Sequence, residues 1–518
     1  MKIMDSMLDA LNLVRKADVL PMAMRSFEGA AVSRLTTDFL EASNEIDQDI
    51  RAGGKRLRNR ARHLVVNNAY AGRAAELYVS NVAGECGHTF QADIRKPVLD
   101  PETKEMMEES DDDLNTRIEN IVADFSKPEN CSVSGKYSFG SLQRVAAFNR
   151  FTDGEFFLRR VWSSNAKYGF YLEPIAPENI AEDYNIELSN GNVVKLGVEL
   201  DAYNRPVAYW CYKRNRAAQL WGPARSNLLI RVLADDMLHW FDPRFTNQTR
   251  GFTKLAPVML QLHWMRGYGD ASVLNAKISA SKLGLLSDVD PENPTAEIIG
   301  TGKDTKGNTT IKALPGSFQN IGAKKLWQWD PKYPHGEHEM FMRQCLREIA
   351  GGVSASYSAL SGDYSQHNFS SQRGESENVR RNYIGEQESM ITHLNDPIFK
   401  WLIEGAIMTG HLKLQRFSDH EKVMRHVFIG PRWDYINPVD ETNATRSDLE
   451  AALTSPFEVA ARKGRSYEDI LRDRRAARKL EKKYGETPVY GKTGNVSTDA
   501  LTPATPPAPA PVIPQTTE

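Results

Sequence analysis

The chain has 518 residues, with 65 basic and 67 acidic side chains and a formal charge of −2. This length allows about two to four domains, and the near-neutral balance argues against binding nucleic acid through a broad positive charge. The four cysteines form no CxxC pair, which argues against a disulfide framework or a zinc site and favours a reducing compartment. The sequence has no secretory signal and no apolar run of transmembrane length, so we expect no membrane partner.

The first part of the chain is predicted to be helical. Residues 1–50 have helical patterning, and residues 51–62 hold six basic side chains and no acidic one, within a helix that continues to a glycine break at 84–87. A basic run of this kind favours a solvated helix face, with a phosphate or partner contact as the alternative. Further helices are predicted over the acidic segment 102–125 and over 142–148.

Composition then shifts towards strands. Residues 154–162 and 169–175 are rich in aromatic and β-branched side chains. Residues 193–213 have the pattern of a strand, a turn and a strand, and residues 228–242 add a strand pair or a strand and a turn. The sequence therefore predicts a mixed α/β region inserted in a helical chain.

In the next part of the chain, the sequence predicts two helices with a small segment of short strands between them. The first begins near Leu255 and extends to about Leu286, and residues 287–330 are rich in Gly, Pro, Asp and Thr with short strands. The second helix covers residues 336–351. Residues 430–485 are again predicted to be helical, whereas residues 487–518 contain seven prolines and are expected to be disordered.

A polar loop between two helices is the most informative stretch. Residues 354–373 are rich in Ser, Gly and Asn, and they precede a long helix predicted over 371–394. Asp396 and Pro397 then have the pattern of an N-cap and first position of another helix that ends at Met408. A polar loop held between helices usually exists to contact something.

No catalytic motif in the sequence has the residue spacing that its chemistry requires. Residues 491–493 (GKT) lack a glycine at phosphate-loop spacing and have no strand before them, and no GxSxG nucleophile elbow is present. The HGEH segment, residues 335–338, is not HExxH, and the pattern favours a solvated helix start over a metal site. Asp363 and His367 are placed to hydrogen-bond within the loop, and a triad with a nearby serine stays a minor alternative. We therefore expect no catalysis, no cofactor and no metal.

Motifs between about Arg56 and Tyr484 resemble, in the right order, the lambda-type phage portal proteins. They are an arginine-rich helix with a paired asparagine and a Gly-x-x-Gly break (57–87), a strand-turn-strand (197–210), a His-x-Phe segment with a Gln-x-Arg-Gly turn (238–262), and a Gly-Asp-Tyr-Ser signature (360–373). Each motif alone is weak, but their order is a strong signal. The sequence departs from the family at Phe369, where tyrosine is usual, and at Asn437-Pro438, where Asp-Pro is expected.

The resemblance implies an α+β, mainly helical portal fold with a mixed α/β wing. Its parts are an N-terminal arm (1–29), the wing (30–252), a first stem helix (255–286), a small clip (287–332), a second stem helix (336–351), a tunnel loop (353–371), a long helix with the return helix of the wing (372–409), a helical crown (410–485) and a disordered tail (486–518).

The resemblance also implies a function. A ring of about twelve copies would lie at one capsid vertex, and double-stranded DNA would enter and leave through its axis without sequence recognition. The implied partners are the terminase large subunit, the major capsid or scaffold protein, and a head-completion or tail adaptor protein. The implied location is the virion, after assembly in the host cytoplasm. The alternatives are a packaging enzyme subunit that acts on nucleic acid, or a capsid scaffold or adaptor without a channel.

The tunnel loop supplies the candidate DNA-facing residues. Small polar side chains suit a wall that DNA slides past, because base-specific contacts would stall transport. The candidates are Ser354, Ser356, Tyr357, Ser358, Ser361, Gly362, Asp363, Tyr364, Ser365, Gln366, His367, Asn368, Ser370, Ser371 and Arg373.

Overall fold

The structure, a computed structural model, describes most of the chain. The described ranges are 45–99, 106–214, 225–280, 284–288, 301–303, 309–311, 324–328, 338–365, 369–413, 422–433, 438–462 and 467–484. The predicted N-terminal arm and disordered tail lie outside these residues, as does most of the predicted clip.

Two helices, rather than one, form the basic N-terminal region. Helix α1 (Ile46–Asn67) is followed by α2 (Ala69–Val82), and Asn68 between them is extended. The Asn68 side chain accepts hydrogen bonds from the amides of Tyr70 and Ala71, so it caps α2. The prediction of one continuous helix from the basic run to residues 84–87 was wrong. The asparagine side chain accepts hydrogen bonds from amides at the start of α2, which allows the helix to break there.

The acidic segment is also divided. Strand β1 (Thr89–Ala92) is followed by a hairpin of β2 (Arg95–Leu99) and β3 (Met106–Ser110), and only then does α3 (Asp112–Phe125) begin. The helix predicted over 102–125 therefore starts later, with Asp111 as its N-cap. Helices α4 (Pro128–Cys131) and α5 (Phe139–Thr152) follow, and α5 contains the helix predicted over 142–148.

The mixed α/β region is present where the sequence predicted it, as two antiparallel sheets. Strands β4 (Glu155–Trp162) and β5 (Phe170–Ile175) come first, followed by β6 (Ile186–Glu187), β7 (Val193–Lys195), β8 (Val198–Leu200), β9 (Pro206–Arg214), β10 (Arg225–Leu233) and β11 (Met237–Phe241). The sheet orders are β11-β4-β5 and β10-β9-β8-β7-β6.

Two helices flank the small segment of short strands. Helix α6 (Met259–Ala280) precedes strand β12 (Gly284–Asp288), so the helix predicted to reach residue 286 ends earlier. Strands β13 (Thr301–Lys303), β14 (Thr309–Ile311) and β15 (Lys324–Gln328) follow; β13 pairs with β14, and β15 with β12. Helix α7 (His338–Gly352) then matches the predicted second helix.

A long helical segment follows the loop. Helix α8 (Tyr357–Ser361) lies inside the loop, and α9 (Phe369–Met390) continues through a π-helical turn (Ile391–Asn395) into α10 (Asp396–Met408). Asp396 does not cap α10, because its backbone is helical and its amide bonds to the carbonyl of Ile391. Pro397 lacks an amide hydrogen and crowds the preceding turn of an α-helix, and the wider π turn accommodates it without ending the helix.

The π turn directs Asn395 into the core, where its side chain is 0% exposed. Its amide oxygen accepts from Gln143 at 3.0 Å, and its amide nitrogen lies 3.1 Å from Nδ1 of His88. Nε2 of His88 lies 2.7 Å from the carbonyl of Val82, so we assign the proton to Nε2. Burial lowers the pKa of His88, in keeping with a neutral core histidine.

The C-terminal part returns to the N-terminal one. Strand β16 (His426–Ile429) pairs antiparallel with β1, Phe90 opposite Phe428. Helices α11 (Pro438–Glu450), α12 (Pro456–Arg462) and α13 (Tyr467–Tyr484) then confirm the helical prediction for this end of the described chain. One core cluster includes residues from α2, α5, α6, α7, α9 and α10, so the loop between α7 and α9 is held at both ends.

Candidate nucleic-acid interface

The candidate loop begins with a sharp turn and encloses a short helix. Ser354 has a positive φ of 56°, and the amide of Ala355 bonds back to the carbonyl of Ala350 at 2.9 Å. Ser356 caps α8 by accepting from the amide of Ala359, and Gly362 ends α8 in the left-handed conformation with φ 73°. This is the arrangement that a glycine after a helix provides, so the first half of the loop is ordered by local capping.

Two loop serines bind a carboxylate on the long helix. Ser356 Oγ lies 2.8 Å from Oε1 of Glu375, and Ser358 Oγ lies 3.0 Å from Oε2. Ser358 is 4% exposed and Leu360 is 3% exposed. Glu375 therefore fixes α8 against the start of α9, and these serines have a structural role as well as any surface role.

Asp363 organises the second turn. Its carboxylate accepts from the Tyr357 hydroxyl at 3.0 Å and from the amide and hydroxyl of Ser365 at 3.0 and 2.6 Å. Arg343 lies 3.8 Å away. The bonds from Ser365 and then Tyr357 stabilise the charged form and lower the pKa of Asp363 to about 2. Two hydroxyls and one amide therefore hold this turn.

The predicted DNA-facing residues divide by exposure. Exposed members are Ser354, Gly362, Tyr364, Ser365 and Arg373. Half-buried members are Ser356, Tyr357, Ser361 and Asp363, and Ser358 is buried. Gln366, His367 and Asn368 lie outside the described residues, and for Ser370 and Ser371 only the helical backbone is described. Residues 354–365 of the predicted loop therefore include a short helix and one buried serine.

A buried ionic cluster, which sequence reasoning missed, joins α1, β4 and the segment between β11 and α6. Glu155 is 0% exposed and accepts from Arg250 at 2.6 and 2.7 Å, from Arg58 at 3.3 Å and from the amide of Gly251 at 3.1 Å. Burial raises the pKa of Glu155, but attraction to Arg250 and hydrogen bonds from it outweigh burial, so the pKa is lowered overall. The Gln-x-Arg-Gly motif thus places a buried arginine. A signal was available, since the motif has one cation between a glutamine and a glycine.

The His-x-Phe motif belongs to the same cluster. His239 stacks on Phe157 at 4.1 Å and on Phe241 at 4.4 Å between ring centroids, and its Nε2 lies 3.2 Å from Oε2 of Glu155. Burial lowers the pKa of His239. The motif is therefore explained by packing between aromatic rings, not by catalysis.

A second polar cluster attaches the long helix to α2, α5 and the segment before α6. Glu386 on α9 accepts from the Tyr78 hydroxyl at 2.7 Å and from Arg150 at 3.3 Å, and it also contacts Lys254. These partners lie on α2, on α5 and just before α6. The helix that follows the loop is consequently fixed by charges as well as by apolar packing.

Neither a metal centre nor a membrane span emerges from the described part of the chain. Within it, no group of three or more His, Cys, Asp or Glu side chains is placed to hold a metal ion. No described helix is both long and apolar enough to cross a membrane.

Comparisons with known proteins give one consistent family. A family model described as "Phage portal protein, lambda family" matches residues 33–387. The probable portal protein of Halomonas phage phiHAP-1 is 28% identical over 476 residues, which cover 91% of this chain and 90% of that protein. Portal protein B of Escherichia phage lambda is 22% identical over 461 residues, covering 83% of this chain and 84% of that protein. A chain from the neck of a native gene transfer agent particle, computed with C12 symmetry, aligns with a TM-score of 0.42 and 12% identity, covering 78% of this chain and 91% of that chain.

Proposed function

We propose, from the premise that the chain belongs to the lambda family of phage portal proteins, that copies of it form a ring around duplex DNA. Portal proteins form the channel at one capsid vertex, and the family match places this chain in that role. We also propose that the ring has about twelve subunits and that it contacts DNA without recognising its sequence.

The observation that carries the ring is an exposed apolar stripe on α6. Trp264 is 67% exposed, and Tyr268, one turn further along, is 39% exposed on the edge that does not pack against His338 and Phe341 of α7. Val273 and Leu274 add two more exposed apolar side chains further along the helix, at 64% and 58%. A stripe of this kind usually marks a protein–protein interface, and heterologous contacts between copies close into a ring when the rotation allows it.

The loop supports the second part of the proposal. Its described part is polar, it is fixed at both ends by α7 and α9, and it presents Ser354, Tyr364 and Ser365 to solvent. Asp363 is already bonded to hydroxyls of the loop itself. Such a wall offers weak polar contacts to a moving duplex without a fixed element in a groove.

Two alternative functions account for fewer of these sequence and structural features. A packaging enzyme subunit needs a carboxylate cluster or a phosphate loop, and metal-dependent nuclease or ATPase activity of the pure protein would favour it. A scaffold or adaptor without a channel would instead assemble into a ring without a central pore. We propose a non-catalytic conduit that docks the terminase large subunit during packaging and an adaptor protein afterwards, and that contacts the major capsid or scaffold protein.

The first experiment tests the ring. Replacing Trp264 with glutamine removes the most exposed large ring of the stripe, so we expect the mass distribution to shift from rings to smaller species by light scattering. The matched control is Tyr203→Gln, since Tyr203 is 92% exposed on a wing turn. Equal loss of rings in both variants, or in neither, would contradict the role of the stripe.

The second experiment tests the loop. Replacing Tyr364, Gln366, His367 and Asn368 with glycine or serine should leave ring assembly intact, because the contacts that hold α8 and the apolar stripe are unchanged. We expect such rings to package or retain DNA poorly in a reconstituted particle. Rings that fill and hold genomes as the wild type does would show that the loop does not contact DNA.

A further inference from the structure

The basic run of α1 is divided into two groups by the structure. Arg58 and Arg62 point inwards: Arg58 bonds to Glu155 and Glu182, and Arg62 bonds to Asp153. Four other cations on this helix are exposed, and none of them has a hydrogen bond or an ion pair with the part of the chain that the structure describes; they are Arg51, Lys55, Arg56 and Arg60. The exposed four are therefore not used to build the fold.

These four side chains line one wall of a groove. The groove has a volume of about 770 Å³, and its opposite wall is formed by α6 with Met259, Leu260 and His263. Asn59 and His63 lie on the basic wall with the cations. No acidic side chain is among the residues that line it.

The spacing of the cations follows from the helix. Arg51 and Lys55, and likewise Arg56 and Arg60, are four residues apart, so each pair lies about 6 Å apart along the axis. From residue 51 to 60 the helix rises about 13 Å, a length over which duplex DNA presents about eight phosphate charges. The helix thus carries about one exposed cation for every two phosphate charges over this length, with one pair on each side of the face that holds Asn59 and His63.

We propose that this groove is a second DNA-contact surface that binds the sugar–phosphate backbone of a duplex. Arginine and lysine side chains with asparagine beside them are the usual donors to phosphate oxygens, and they carry no sequence readout. The arginine guanidinium groups match phosphate geometry with two parallel hydrogen bonds. The proposal goes beyond the conduit, because none of these residues belongs to the loop.

The distribution of positive charge favours DNA over an acidic protein segment as the occupant of the groove. The chain as a whole is close to neutral, with a formal charge of −2. The positive charge of this groove is therefore local and is not shared by the rest of the chain. Duplex DNA has a high linear charge density, and it releases counterions when several cations bind its phosphates, which favours DNA as the occupant.

The test compares two variants of the full chain that lose the same charge. The groove variant is R51Q/K55Q/R56Q/R60Q. The matched control is R475Q/R478Q/K482Q/K483Q, which removes four exposed cations from α13. Binding of a fluorescent duplex of about 30 base pairs is measured by anisotropy at about 50 to 200 mM salt, with circular dichroism and light scattering to confirm folding and assembly.

We expect the groove variant to bind the duplex at least about tenfold more weakly than the wild type, with a slope of log K against log salt shallower by about 3 to 4. The control should bind within about twofold of the wild type. Equal losses in both variants, or no binding by the wild type, would overturn the proposal. Loss of ring assembly in the groove variant would identify the groove as an interface between copies, and tighter binding of poly-glutamate than of DNA would identify an acidic protein partner; either result overturns the assignment to DNA.

Discussion

The cluster around Glu155 and the loop around Asp363 are both built from a carboxylate and its donors, yet they differ in burial. Glu155 is fully buried and bonded to two arginines, whereas Asp363 is near the surface and bonded mainly to hydroxyls. Removing one partner of a buried pair leaves a charge uncompensated, but exposed contacts are weak. The motif with buried charges therefore shows how the fold is stabilised, whereas the motif with exposed polar groups marks the surface that we propose for contact with DNA.

The largest expected effect comes from Glu155→Gln. Arg250 and Arg58 would lose their fully buried carboxylate and keep only the partly exposed Glu182 as a shared partner, so we expect a loss of about 3 kcal/mol in the free energy of unfolding. Urea denaturation followed by circular dichroism measures this. The control is Glu187→Gln on β6, where the side chain is exposed and a change within about 0.5 kcal/mol is expected. Similar stabilities for the two variants would break the comparison.

A smaller effect is expected from Ser358→Ala in the loop. The substitution removes the hydrogen bond to Glu375 at 3.0 Å and leaves a carboxylate oxygen with one donor fewer. We expect α8 to lose about 1 kcal/mol of local stability, seen as faster amide hydrogen exchange in residues 357–361. Ser354→Ala, at an exposed position, is the control and should leave that exchange unchanged. Unchanged exchange in both variants would show that Glu375 does not fix the loop.

The smallest effect is a pH dependence confined to the turn after α8. The pKa of Asp363 is lowered from 3.8 to about 2, so its bonds stabilise the turn above the ordinary pKa and are lost as the pH falls from about 4 to about 2. Hydrogen-exchange protection of residues 363–365 should fall in that window. Asp363→Asn should remove the pH dependence, and a variant that keeps it would assign the titration to another group.

Sequence reasoning was most successful where local patterns decide the structure. Aromatic and β-branched side chains predicted β4 and β5, and apolar residues at four-residue spacing predicted α7. The pairing of β1 with β16 was not predictable, because its partners lie more than 300 residues apart and neither strand has a local signal for the other. The π turn before Pro397 was missed for a related reason: proline usually marks a helix end, and only tertiary packing of Asn395 stabilises the alternative.

The candidate site was predicted less completely than the fold. The serine-rich composition of residues 354–371 indicated a polar surface, but it could not show that Ser358 turns inwards to Glu375. Likewise the basic run of α1 gave no sign that Arg58 and Arg62 bind buried carboxylates while their neighbours stay exposed. Side-chain partners of this kind depend on the packing of distant elements, which composition does not contain.

Electron microscopy of the purified full chain tests the central claim most directly. Class averages viewed along the axis should show a closed ring of about twelve copies with a central channel wide enough for duplex DNA. Only monomers and dimers under every assembly condition, or rings without a central channel, would contradict the account.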